Sequence, residues 1–228
     1  MAPKSKENRM TVWYLVAYNM AQFLGWSYVF VEMLENLFVT KDYRSTYASV
    51  GGIVRKLQVI AILEVLHAVL GLVRSDPKTA LMQWGGRTHV LLSIIDRLPQ
   101  VQTNFSVFIT IAAWATTEIV RYPQYALSML GVCPKWLTWL RYTMFIVLYP
   151  AGIYGEMDSM YAALEPLKDG DVRVKLFDYL PLSYHSFIIG LLLVYPFLFL
   201  VLYMHMFKQR RSRLGKKEGG AERVHKDK

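Results

Sequence analysis

Tyr149 and Glu156 are the two residues of this 228-residue chain whose types and spacing most directly offer chemistry. They stand seven positions apart, so at about 100° per residue a helix returns them to one face, roughly two turns or ~10 Å apart along its axis. A carboxylate is the natural base and a phenol the natural acid, and together they can remove one proton and supply another. Glu156 is favoured as the base and Tyr149 as the acid, although burial and neighbouring charge can exchange those roles. Pro150, between them, cannot donate to the carbonyl of Ile146, and Gly152 and Gly155 loosen the helix beyond it. A kink there would bring the phenol and the carboxyl onto one small substrate.

The elements that must position this pair are apolar. The chain is 54% hydrophobic and 14% aromatic, with a mean hydropathy of +0.25, too apolar and too segmented for an ordinary soluble domain. A membrane span needs about 20 predominantly apolar residues. The candidates are 11–31, 53–73, 80–98, 101–120, 136–156 and 183–207, and the pair falls in the fifth, which also carries Arg141 near its start. The third is weakest by hydropathy, because Gln83, Gly85, Gly86, Arg87, His89 and Asp96 interrupt it. Gly51-Gly52 is expected to break the chain before the second run, and the first run, Trp13 to Val31, is longer than a signal-peptide core and reads as an uncleaved span.

Several function classes are excluded or disfavoured. The net charge of +9 gathers after the last apolar run, from Lys208 to Lys228, without an aromatic-interleaved basic surface, so it fits orientation and anionic lipid rather than nucleic acid. A single cysteine, Cys133, forbids an intrachain disulfide and metal sites built on paired thiolates. His89, His185 and His205 show no helical ligand spacing with one another or with Glu64 and His67, so no metal site is expected. Glu64 and His67 stand three apart on one helical face at membrane depth, which serves a structural hydrogen-bonded pair or the surroundings of an active site equally well.

The run Leu140 to Glu156 closely resembles the signature of the 3-hydroxyacyl-CoA dehydratases of very-long-chain fatty acid elongation, a family once called protein-tyrosine-phosphatase-like. The resemblance extends from about Trp13 to Tyr203. It includes Leu63-Glu64-Val65-Leu66-His67, Gln83 with Arg87, and the stretch Trp114 to Tyr122, with Gly86 standing where the family usually carries serine. It implies that Tyr149 and Glu156 are the catalytic pair and that the third run counts as a span. The expected fold is therefore all-α, a polytopic membrane protein with six transmembrane helices around a central cavity. A polar tail (1–10) precedes the membrane domain (11–207), and a basic tail (208–228) follows it.

The implied reaction is dehydration of a long-chain 3-hydroxyacyl-CoA to the trans-2-enoyl-CoA, the third step of the elongation cycle. It needs one base and one acid and no cofactor, coenzyme A being part of the substrate. Basic segments at the N-terminus, near Arg74 and Arg121, and at the C-terminus would all lie in the cytosol, with loop 157–182 opposite. The resemblance further implies the endoplasmic reticulum membrane, with lipids and other elongation enzymes as neighbours. Arg87, Arg121, Lys135 and Arg141 are assigned to a cytosolic mouth for coenzyme A, and Gly152 leaves room for substrate beside the pair. For Arg141 a plain interfacial arginine is the competing reading. A tyrosine phosphatase would need an arginine after five residues from a reactive cysteine, where Cys133 is followed by Trp139. The remaining alternative is a catalytically silent membrane scaffold or lipid-binding protein on the same fold, which would not need the pair.

Overall fold

A computed structural model describes residues 9–168 and 183–214, and among them every regular element is helical. Helix α1 (Arg9–Thr40) contains no proline. Its buried positions Leu15, Asn19, Gln22, Trp26, Val29 and Met33 recur every three or four residues, the stripe that one helix presents to another. It ends at Thr40, where Lys41 takes a left-handed φ of 54°, and Asp42 accepts from the Arg44 backbone N–H to start a short 3-10 turn.

Helix α2 (Thr46–Ile60) returns alongside α1 and, after a break at Ala61, continues as α3 (Ile62–Val69). The expected break at Gly51-Gly52 does not occur, because α2 runs straight through it. A side chain at Gly51 would meet the Tyr47 ring at 2.9 Å, so that glycine makes room for packing. Gly25 acts similarly in α1, where an added Cβ would lie 2.4 Å from Leu57 of α2.

Helix α4 (Pro77–His89) starts at an Asp76 cap with proline at its first position. It passes into a π-helical turn over Val90–Ile95, in which the Asp96 N–H reaches back to the Leu91 carbonyl. Asp96, which broke the hydropathy of the third run, is paired with Arg55 of α2 at 2.8 Å and accepts from the Tyr47 hydroxyl at 2.9 Å. After the short α5 (Pro99–Gln102), helix α6 (Phe105–Met129) is the hub: α1 packs on one side of it and α8 on another.

The fifth apolar run is divided. Helix α7 (Lys135–Arg141) ends in a turn at Tyr142–Met144, and α8 (Phe145–Ala162) carries the run past Glu156. Helix α8 passes through Pro150, and the Ile146 carbonyl that proline leaves without its usual donor accepts the Tyr203 hydroxyl at 3.0 Å. After α9 (Leu164–Lys168), the last helix, α10 (Tyr184–Leu214), packs chiefly on α8 and α9. Its outer side, including Leu193, Phe197, Val201 and Met204, is exposed. Of the expected tails (1–10 and 208–228), residues 9–10 belong to α1 and 208–214 to α10, while 1–8 and 215–228, with most of the loop after α9, lie outside the described residues.

Among the described residues one helix, α10, is long and apolar enough to cross a membrane by length and composition. Glu64 of α3, Arg87 of α4, and Glu118 and Arg121 of α6 are turned inward to one another.

Candidate active site

Tyr149, Gly152 and Glu156 fall at spacings of three and four on α8, and all three line one cavity of about 120 Å³. The wall is completed by Arg87 of α4, Trp114 and Thr117 of α6, Arg141 at the end of α7, and Met206 of α10. Glu156 is 7% exposed, and each of its oxygens accepts a hydrogen bond. The Trp114 indole donates to Oε1 at 2.9 Å and the Tyr195 hydroxyl to Oε2 at 2.5 Å. Two donors from two other helices fix the plane of the carboxyl group.

The Tyr149 ring is held in a stack on α10, with centroids 5.4 Å from Phe199 and 6.0 Å from Tyr203. Tyr203 therefore orders this stretch twice, by its ring against Tyr149 and by its hydroxyl on the carbonyl freed by Pro150. Behind Glu156, Gly155 lets α8 approach α6 so closely that an added Cβ would stand 2.7 Å from the Ser106 carbonyl oxygen. Gly152 is less crowded, its nearest neighbour being Ala113 at 3.7 Å.

A second set of charges lies behind the cavity wall. Glu118 of α6 accepts from Arg87 Nη1 and, at 2.5 Å, from Arg121 Nε. Arg121 also reaches Glu64 of α3 at 2.6 and 3.1 Å, and Glu64 accepts from the hydroxyls of Tyr122 and Tyr18 at 2.5 and 3.3 Å. Two arginines and two glutamates thus neutralise one another where unpaired charge would be costly. Arg87 belongs to both systems, since its guanidinium lies 5.0 Å from the centroid of the Trp114 ring.

The structure brings together Tyr149, Glu156, Gly152, Arg87 and Arg141 of the residues expected from sequence. Arg121 is not part of the cavity wall and is directed into the network with Glu118 and Glu64. Lys135 is exposed at the start of α7, away from the lining. Glu64 joins the network, whereas His67 Nε2 shares a hydrogen bond of 2.9 Å with the Tyr14 hydroxyl. Sequence reasoning assigned no role to Trp114, Glu118 or Tyr195. The first two could have been found, since Trp114, Glu118, Arg121 and Tyr125 recur at spacings of four, three and four on one helical face. Tyr195 carries no such signal among 15 tyrosines.

An all-helical bundle with a phenol and a buried carboxylate on one cavity is the class that fold and site define. The chain belongs to the family described as protein tyrosine phosphatase-like protein, PTPLA, whose model matches residues 58–216. Among its relatives, very-long-chain (3R)-3-hydroxyacyl-CoA dehydratase 2 of Mus musculus is 36% identical over 208 residues, which is 90% of this chain and 82% of the relative. Very-long-chain (3R)-3-hydroxyacyl-CoA dehydratase 1 of Canis lupus familiaris is 33% identical over 205 residues, 89% of this chain and 82% of the relative. The very-long-chain (3R)-3-hydroxyacyl-CoA dehydratase of Danio rerio is 35% identical over 215 residues, 90% of this chain and 58% of the relative. No solved structure matches the chain. The phosphatase in the family's description finds no support at the lone cysteine, whose thiol meets the Pro134 carbonyl and the Thr138 hydroxyl.

Proposed function

We propose that this chain is a membrane-embedded dehydratase that converts long-chain 3-hydroxyacyl-CoA to trans-2-enoyl-CoA in very-long-chain fatty acid elongation. The observation that carries the reading is the shared cavity of Tyr149 and Glu156, with the carboxylate held by two donors. Glu156 removes the C2 proton that the thioester carbonyl acidifies, and the Tyr149 hydroxyl protonates the C3 oxygen as it leaves as water. The carboxyl then returns its proton to the phenolate, so the pair is reset and the net change is loss of one water. A silent scaffold would have no use for a buried carboxylate so held.

Six helical rods (α1, α2 with α3, α4 with its π turn, α6, α7 with α8, and α10) cross the endoplasmic reticulum membrane in this reading, with both tails cytosolic. Hydrocarbon cannot accept the charged coenzyme A, so the thioester threads inward from the cytosolic end, past Arg141 and Arg87 on the cavity wall. The guanidinium of Arg141, which donates to the Tyr125 hydroxyl at 3.5 Å, suits a phosphate of coenzyme A. Arg121 and Lys135 lie outside that path.

The test is dehydration of a 3-hydroxyacyl-CoA by purified protein, with Tyr149→Phe, Glu156→Gln and the double variant compared after a check of folding. Each single substitution is expected to cost about 10²–10⁴-fold, and the double much less than their product, because both groups act on one transition state. Near-full activity in either single variant would remove the assigned pair.

A further inference from the structure

Tyr195 lies outside the cavity wall, yet its hydroxyl is 2.5 Å from Glu156 Oε2. The opposite oxygen, Oε1, takes the Trp114 indole at 2.9 Å. An indole N–H can only donate, so Oε1 is committed as an acceptor, and the phenol occupies one acceptor position on the other oxygen. The carboxylate is therefore bracketed by two helices other than its own, α6 through Trp114 and α10 through Tyr195. Trp114 is itself fixed, being 2% exposed with the Arg87 guanidinium against its ring. A carboxylate with one tether can swing about its terminal torsion, whereas one with a donor on each oxygen keeps its plane, and with it the free lone pair left on each oxygen, fixed relative to the cavity.

We propose that Tyr195 is a positioning residue for the base Glu156: with Trp114 it orients the carboxylate toward C2 of the substrate and makes the seating of α10 on α8 a condition of proton abstraction. The proposal rests on the dehydratase reading above. It adds a role for the last helix, which reaches the reaction without touching the substrate at this position. The rings of Phe199 and Tyr203 on Tyr149, one to two turns further along α10, place the acid under the control of the same helix. Both halves of the pair are thus aligned by one neighbouring element.

The experiment is a double-mutant cycle on the full chain in lipid nanodiscs, assayed with a 3-hydroxyacyl-CoA. Tyr195→Phe keeps the ring and deletes only the hydroxyl; kcat is expected to fall about tenfold to a hundredfold with KM nearly unchanged. In a Glu156→Asp background, where the shortened side chain withdraws the carboxyl from Tyr195, the same substitution should cost less than threefold. A purely structural Tyr195 would cost the same factor in both backgrounds, and that result overturns the proposal, as does an unchanged kcat in Tyr195→Phe alone. Trp114→Phe deletes the other donor and should show the same dependence on Glu156; an equal loss in both backgrounds counts against the bracket. Full activity of Glu156→Asp and Glu156→Gln would instead defeat the catalytic assignment itself, which separates the two failures.

Discussion

Replacing Gly155 by alanine tests whether the contact of α8 with α6 is what sets the site. The new Cβ would stand 2.3 Å from Thr110 Oγ1, 2.7 Å from the Ser106 carbonyl oxygen and 3.0 Å from the Thr110 backbone nitrogen. A rotation of Thr110 relieves the first clash, but the other two are with backbone, so α8 must retreat by roughly 0.7 Å to restore ordinary contact. Overpacking of this kind costs about 1–3 kcal/mol. Glu156 is the next residue, and the same retreat would stretch its 2.9 Å bond from Trp114 beyond useful hydrogen-bonding distance. Misplacement of a catalytic group on that scale costs up to about 10²-fold in rate. Purified Gly155→Ala should therefore unfold at lower temperature than the parent and dehydrate 3-hydroxyacyl-CoA 10- to 100-fold more slowly, by order of magnitude. Adding Thr110→Ala should recover part of the stability, since it removes the nearest atom and leaves the Ser106 carbonyl. Gly152→Ala is the control: its methyl meets Ala113 at 3.7 Å and intrudes on the cavity, so it should raise KM with little change in stability. Parental stability and rate in Gly155→Ala would refute the reasoning.

Removing one member of the Arg87–Glu118–Arg121–Glu64 network leaves buried charge uncompensated, so Arg121→Ala and Glu118→Gln should destabilise the protein by about 3–5 kcal/mol, read by unfolding in detergent. Arg141→Ala breaks no ion pair among the described residues and should instead raise KM for the coenzyme A ester more than it lowers kcat. Opposite behaviour of the two arginines would exchange their assignments. A glycosylation tag at the C-terminus should remain unmodified in microsomes, and its glycosylation would overturn the orientation.

The helical class of the fold was legible because long apolar runs separated by charged turns have few other solutions. Their boundaries were less so. Gly51 reads as a helix breaker from local propensity, but its missing side chain is used by the Tyr47 ring, a contact made only when the helix already exists. Pro150 marks a carbonyl in need of a donor, and sequence cannot say that Tyr203, 57 residues away, supplies it while the break falls at Tyr142–Met144. The face shared by Tyr149 and Glu156 follows from helical period alone. The tether from Tyr195 crosses between helices 39 residues apart in the chain and depends on packing that no local pattern encodes. Arg121 illustrates the same limit from the other direction. Its position near the end of a helix suggested a mouth, but Glu118 one turn earlier and Glu64 on α3 supply two carboxylates that hold it inside.

The size of the cavity sets how substrate is counted. About 120 Å³ beside Tyr149 and Glu156 takes in the carbons that exchange protons, and in the dehydratase reading the long acyl chain extends beyond that pair. In that reading the remaining methylenes lie along the exposed apolar side of α10, including Leu193, Phe197 and Val201, where transfer from bilayer to protein surface changes their surroundings little. For such an enzyme the relevant concentration is a mole fraction in the membrane rather than a molarity in water. Diluting a fixed amount of ester with more phospholipid should then slow turnover as competitive inhibitors do, although the added lipid binds to no site.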